Sequence, residues 1–414
     1  MSSGNSDTTI VIGAGIVGLC VAHALKKTGR DVVVIDADAP GAQCSFGNAG
    51  ALSSGSVAPL AMPGIMKTAV SMLTDSSSPL HIPFAYLLPA APWLARFVAA
   101  ANPRRVREVA DALAFLLADS VAAHQRLAAD VGCPDIVRQT GQLHLYPDRQ
   151  AMDKDRASWL LKREHGLRMQ DVDRHAIDEL EPAVAHRYGQ GIFLPDEGWL
   201  TNPARYTQAI ATRLRGMQVA FEQAAIHSLR QESGMWTVSD GSRRWRAGHV
   251  VVSAGMGSKA LLAGLGLRVP LESQRGYHVQ IPDPGVSISR VVVLADRKVF
   301  MTPMEPGLRI AGTVEFGGLT RPPNEKRALL LKRDALAGLQ GLNAGGFTTW
   351  MGHRPCLPDS LPVLGPVKNR PGLWCAFGHG HLGMTGSVNT GKLLAAAMAG
   401  QGGGSLAPFA LDRF

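Results

Sequence analysis

The chain has 414 residues, more than one hydrophobic core usually serves, so two domains are expected. With 46% apolar and 18% charged residues it cannot be a disordered or fibrous protein, and its five scattered cysteines suggest neither a zinc site nor a disulfide framework. The net charge of +9 is dispersed; only residues 102–107 and 242–246 cluster, without interleaved aromatics, so solvated faces are expected there and no nucleic-acid partner.

No basic leader precedes the first apolar segment, and the polar tip, residues 1–7, is the one stretch of disorder-grade composition. A reducing, cytoplasmic setting is expected, with the inner face of a membrane as the further option. Thr8 to Ile12 reads as a buried strand, followed by Gly13-Ala14-Gly15-Ile16-Val17-Gly18 at the opening of a helix. Gly13 permits the tight turn, Gly15 lets the backbone approach a pyrophosphate, and Gly18 allows close helix packing. A second apolar run, Asp31 to Ile35, ends in Asp36 and Ala37, where a carboxylate can accept hydrogen bonds from ribose hydroxyls. The cofactor therefore contains ADP-ribose or the ADP half of FAD.

Gln43 to Gly50 is small, polar and turn-forming, and its natural place is a loop beside the cofactor. Leu80 to Ala100 is the most apolar stretch, but Pro83, Pro89 and Pro92 are expected to interrupt it. It reads as a buried or lid-forming segment, or else as a patch touching a membrane. A helix is expected from Ala110 to Val131 with Gly132 as its stop, then a strand from Gly141 to Tyr146, then a charged helical region from Gln150 to Ala185 broken at Glu181-Pro182.

A helix from Ala204 to Arg215 and strands at 218–222 and 225–229 follow, and the strand 248–253 ends in the compact Ala254-Gly255-Met256-Gly257. Alternation at 277–281 and 308–316 predicts an antiparallel sheet, and 324–342 reads as a helix. A strand at 373–377, the loop 378–386 and a final helix close the chain. A second glycine fingerprint after a strand does not occur, which favours FAD over a nicotinamide.

Four segments in order carry a family resemblance: the fingerprint with Asp36, the loop Ser45-Phe46-Gly47-Asn48-Ala49-Gly50, the stretch from Gly352-His353-Arg354-Pro355 to Gly365, and Gly378-His379-Gly380-His381-Leu382-Gly383. The chain resembles the D-amino-acid-oxidase superfamily of FAD enzymes, within it the bacterial D-amino-acid dehydrogenases, including the D-hydroxyproline dehydrogenase branch. The resemblance implies an α/β fold: a Rossmann-like, glutathione-reductase-like FAD-binding domain and a second α+β substrate domain built on an antiparallel sheet. The FAD domain is expected to be discontinuous, from 1–80, 200–262 and 350–414, with 81–199 and 263–349 forming the substrate domain.

The resemblance further implies that Gly13 to Gly18, Asp36 and Ala37 hold the ADP half of FAD, that Cys44, Ser45, Asn48, Ala49, Gly50 and Leu52 lie along the pyrophosphate and flavin, and that the Ile226 backbone meets the adenine. Ala254 and Gly255 would face the cofactor. Gly380, His381, Leu382, Gly383, Met384 and Thr385 would direct backbone amides at the flavin edge that gains negative charge on reduction. Arg354 is the first choice for the substrate carboxylate, because its guanidinium is a planar fork. Tyr277, His278, His353 and His379 are second-tier candidates, and Asn202 takes no site role. No residue stands out for covalent attachment among Cys356, Cys375 and His379, so non-covalent FAD is expected, and no metal.

The expected reaction oxidises the C–N bond of a small D-amino or cyclic imino acid, D-proline and cis-4-hydroxy-D-proline among them, to an imine by hydride transfer to flavin N5. The expected electron acceptor is a quinone or electron-transfer protein in preference to oxygen. An oxygen-using, sarcosine- or glycine-oxidase-like enzyme and a flavoprotein subunit of an electron-transfer complex are the alternatives. Peripheral membrane contact and homo- or hetero-oligomer formation are the further partner expectations.

Overall fold

The computed structural model describes residues 6–64 and 78–414. Residues 1–5 of the polar tip, and 65–77 of the expected FAD-binding segment, lie outside the described residues.

The first strand, Thr8–Ile12, is buried along its whole length and lies in the middle of a six-stranded sheet. In spatial order the sheet runs Ala220–Gln223, Asp31–Asp36, Thr8–Ile12, His249–Val252, Leu373–Phe377 and Val363–Pro366. All neighbours are parallel except the last pair. From Thr8–Ile12 the chain crosses first to one side and later to the other, and a crevice opens at such a switch point beyond the carboxyl ends of the strands. The glycines pack here for steric reasons. A Cβ on Gly18 would lie 1.9 Å from the Gly13 carbonyl oxygen, and one on Gly391 would lie 2.4 Å from the Cys20 carbonyl oxygen. Only glycine at 391 lets the helix Gly383–Met398 press against Ile16–Lys27.

A nine-stranded sheet forms the second layer. Its main path is Thr348–Cys356, Glu272–Ile281, Gly307–Phe316, Val299–Met304, Val291–Leu294, Gln142–Tyr146, Gln190–Leu194 and Gln170–Asp173, with Leu80–His81 beside Gly307–Phe316. Most pairs are antiparallel; Gln142–Tyr146 with Val291–Leu294 is parallel, as is Leu80–His81 with its neighbour. The expected boundary at 350 falls inside Thr348–Cys356, which pairs along its length with Glu272–Ile281, so this strand belongs to the large sheet. The helices Pro103–Leu117 and Ser120–Asp130 share one apolar core with Leu19, Val34 and Leu394 of the nucleotide-binding layer.

Three local expectations are corrected. Phe84–Ala100 is one continuous helix in spite of Pro89 and Pro92. Its packing compensates for the lost backbone bonds: Trp93 is buried, stacked on Phe97 and tilted against Phe316. Its outer face is bare, with Phe84 92% and Leu88 86% exposed, so the segment is buried only on its inner face, at Ala90 and Trp93. No single helix among the described residues is long and apolar enough to cross a membrane. The helix expected over 110–131 is two helices, divided at Asp119, whose φ is +51°. The charged region 150–185 contains the strand Gln170–Asp173, hidden in the sequence because it is an exposed edge.

Candidate active site

The nucleotide crevice is built from the fingerprint outward. Gly13 has φ +115°, and a Cβ there would lie 2.3 Å from the Ser253 carbonyl oxygen, so the turn admits no side chain. Asp36 reaches across from the second strand: its carboxylate accepts the Ala14 amide at 2.5 Å and the Asp38 amide at 2.9 Å. Ser45 accepts the Ile16 amide at 2.9 Å, which brings the 44–50 loop to the helix start. Ala254 and Gly255 follow the adjacent strand, and Ile226 lies in the connection after Ala220–Gln223.

The loop is also fastened to the large sheet. Arg309 donates to the carbonyls of Phe46 at 2.9 Å and Asn48 at 2.7 Å, Thr302 donates to Ala49 at 2.7 Å, and His278 Nδ1 bonds the Gly47 carbonyl at 3.1 Å. Asn48 closes the turn by accepting the Gly50 amide. Gly50 itself sits at φ +77°, and its carbonyl receives the Leu200 amide. Leu52 contributes no side chain to the site; it is fully buried in the core, and its carbonyl accepts from Gln142.

Between the two sheets lies a cavity of 1690 Å³. Cys44, Asn48 and Ala49 border it from the loop, and Gly380, His381, Leu382 and Thr385 from the start of the last helix. That helix begins at Gly383 with no side-chain cap and no acidic residue in its first turn, as does Ile16–Lys27. Each start presents the positive end of a helix dipole, which suits an anionic group; at Ile16–Lys27 the Ile16 amide is taken by Ser45. The 384–385 turn is held from behind by His124, whose Nε2 bonds the Met384 carbonyl at 2.8 Å while Nδ1 pairs with the Tyr206 hydroxyl at 3.0 Å. Burial pushes the His124 pKa down to about 4, so the imidazole is neutral.

Arg354 borders the cavity from the large sheet and lies across Gly276. A Cβ on Gly276 would lie 2.2 Å from the guanidinium carbon. The guanidinium donates to the Thr313 carbonyl at 2.9 Å and, more weakly, to that of Gly312 at 3.4 Å. These carbonyls are presented where the pairing of Glu272–Ile281 with Gly307–Phe316 shifts register and Thr313 takes φ +52°. Among the described residues Arg354 has no acidic partner, and burial lowers its pKa.

The other candidates are spread out. His353, next to Arg354 on the same strand, points to the opposite face and bonds Ser273 through Nδ1 at 2.8 Å. His379 is buried beneath the loop with Nε2 on Thr390 at 2.9 Å. Neither borders the cavity. Tyr277 does, but its hydroxyl bonds Glu315 and accepts the Asn324 amide at 3.1 Å. His278 stacks on Trp350 at 5.2 Å, and burial pushes its pKa down to about 4. Asn202 caps the Pro203–Gly216 helix, accepting the Arg205 amide.

Several wall residues were not singled out from the sequence. Gln142, His144 and Tyr146 lie two apart on one strand and all border the cavity, an alternation that was legible. Lys162, Glu197 and Trp350 had no such signal. Trp350 is seated between two glycines, for a Cβ on Gly47 or Gly352 would come within 2.1 Å or 2.0 Å of its ring.

A family model described as FAD dependent oxidoreductase matches residues 8–397. The chain is 36% identical to a protein of Bradyrhizobium diazoefficiens named D-amino-acid oxidase, over 98% of each chain. To a Rhizobium johnstonii protein named D-amino acid dehydrogenase it is 30% identical, over 94% of this chain and 95% of the relative. In fold it is similar to the glycine oxidase from Geobacillus kaustophilus, with a TM-score of 0.76 at 21% identity over 99% of this chain and 98% of that one. The chain belongs to the FAD dependent oxidoreductase family, and its cofactor is FAD.

Proposed function

We propose that this FAD-dependent oxidoreductase oxidises the C–N bond of a small D-amino or cyclic imino acid and delivers the electrons to a quinone or an electron-transfer protein. One observation carries the reading: Arg354 lies on the cavity wall with donors to spare and, among the described residues, no acid to neutralise it. A substrate carboxylate is the group that a planar, uncompensated guanidinium recognises. The names of the two relatives support amino-acid chemistry and the D configuration. D-Proline and cis-4-hydroxy-D-proline fall within the proposal, since the reaction needs only one N–H and one Cα–H.

Gly13 to Gly18 and Asp36 would hold the ADP half, and the 44–50 and 380–385 segments the flavin half. The crevice fits, because Gly13 and Gly18 leave no room for a Cβ and the last helix starts without a side-chain cap. Non-covalent attachment is part of the proposal. Burial pushes the Cys356 thiol up to about 12 and raises Cys375 as well, while His379 is tied to Thr390. Bound FAD supplies a two-electron acceptor for the Cα hydride. Arg354 fixes which Cα–H faces it, so positioning is the chain's main contribution. His381 borders the cavity at the start of the last helix, and its imidazole is the group offered as acceptor for the proton of the substrate ammonium.

The exposed Phe84–Ala100 helix supports an apolar acceptor, since Leu87, Leu88 and Ala91 border the same cavity, and it supports contact with the inner face of a membrane. A second reading, an oxidase using oxygen, is favoured by the name of the relative at 36% identity. Anaerobic mixing with a panel of D-amino acids, cyclic imino acids and N-alkyl glycines should bleach the flavin. Reoxidation should then be faster with a quinone analogue than with air. An unbleached flavin across the panel removes the proposal, and faster reoxidation by air replaces the acceptor.

A further inference from the structure

We propose that Lys162 forms a subsite for a second carboxylate on the substrate, which makes acidic amino acids such as glutamate and aspartate the preferred class; this rests on the amino-acid reading above. Lys162 projects from the helix Arg156–Glu164 into the cavity with its ammonium 4.3 Å from the centre of the Trp159 ring. Among the described residues it has no hydrogen bond and no ion pair. The acids around it are already engaged. Asp155 pairs with Lys298 at 2.8 Å, and Glu197 accepts the Ser54 amide at 2.6 Å, the Gly55 amide at 2.7 Å and the Ser54 hydroxyl at 3.1 Å.

An ammonium drawn out of bulk water without a partner is unfavourable, and a ligand anion would relieve it. Burial, with the repulsion of Lys298, pushes the Lys162 pKa down to about 8 against the smaller, opposing attraction of Glu197 and Asp155. The wall beside it carries a second unsatisfied group. His144 Nε2 is buried without a partner, its ring edge-on to Trp159 at 5.1 Å and to Phe300 at 6.4 Å. His381 lies within the fields of both Arg354 and Lys162. The cavity therefore presents two cations, Arg354 and Lys162, that form no direct ion pair among the described residues. Arg354 takes the carboxylate beside the reacting carbon, and Lys162 takes the distal one. A neutral side chain would leave Lys162 unpaired, and an amide of the same shape cannot neutralise it.

The test uses the FAD-loaded full-length enzyme. Glutarate and butyrate serve as unreactive probes read by thermal stabilisation, and kcat/KM is compared for glutamate and glutamine in both enantiomers. Glutarate should act at roughly 10-fold or more lower concentration than butyrate, and glutamate should be preferred over glutamine. Lys162→Met should shrink both ratios about 10- to 100-fold, and Lys162→Arg should keep them. Equal action of glutarate and butyrate on the native enzyme, or ratios unchanged in Lys162→Met, overturns the subsite. If amino acids reduce the flavin without a glutamate preference, the subsite falls and the amino-acid reading stands. If Lys162-dependent glutarate selectivity is found while no amino acid bleaches the flavin, the amino-acid reading falls and the carboxylate subsite stands.

Discussion

Substituting Gly276 by alanine should disable the enzyme without unfolding it. The added Cβ would lie 2.2 Å from the Arg354 guanidinium carbon, whereas ordinary contact begins near 3.4 Å, so the fork must retreat by about 1.2 Å. Gly276 does not have a positive φ, so alanine is compatible with the backbone. The obstructing atoms are the end of a flexible side chain, which can move while the sheet stays in place. Moving the guanidinium breaks its 2.9 Å bond to the Thr313 carbonyl and shifts the group proposed to hold the substrate carboxylate. A displacement of about 1 Å in a positioning group costs on the order of 100-fold in rate, while tolerated overpacking costs about 1–3 kcal/mol in stability. The assay is kcat/KM for a D-amino acid beside the corresponding amine lacking the carboxylate, together with flavin absorbance and Tm. The carboxylated substrate should lose about 100-fold and the amine much less. Native kcat/KM for the carboxylated substrate in a folded, flavin-loaded Gly276→Ala enzyme would refute the placement of Arg354.

Arg354→Lys should raise KM strongly with flavin still bound, measured by steady-state kinetics, because an ammonium cannot reproduce the fork. Asp36→Ala should weaken FAD retention about 10- to 100-fold, read by flavin release on dilution, since it removes the acceptor facing Ala14. Gly13→Ala should cost roughly 2–4 kcal/mol or prevent folding, seen as a fall in Tm, because the Cβ meets the Ser253 carbonyl at φ +115°. Acid should destabilise the fold. His124 and His278 are held to pKa values of about 4 against 6.5 when unfolded, so the unfolded chain binds more protons between these values. Stability from each is full above pH 6.5 and is lost at up to about 1.4 kcal/mol per pH unit down to pH 4. A urea midpoint that stays constant from pH 7 to pH 4.5 would contradict this.

The nucleotide-binding half was legible because its signals are local: Gly13, Gly15, Gly18 and Asp36 must follow each other at fixed spacing to make one turn. The active-site wall was less legible because strand alternation decides it. His353 and Arg354 are neighbours in sequence, yet Thr348–Cys356 is a strand and sends them to opposite faces. Lys162 sits in a charged helical stretch whose pattern resembles a solvated face, and only tertiary packing turns it toward the cavity. Pro89 and Pro92 read as breaks, but the packing of Trp93 against Phe97 and Phe316 keeps the helix continuous. Asp119 ends a helix in a left-handed conformation without the glycine that usually marks such a site.

The six-stranded sheet has a consequence for synthesis. Its first strand is finished at Ile12, but the neighbour His249–Val252 leaves the ribosome more than 200 residues later, and Leu373–Phe377 later still. The loop before the last helix follows that strand. A nascent chain therefore carries a complete glycine fingerprint long before it has a crevice to close around a flavin. Cofactor capture must follow release of nearly the whole polypeptide, and chains truncated before Leu373 should leave the ribosome without FAD.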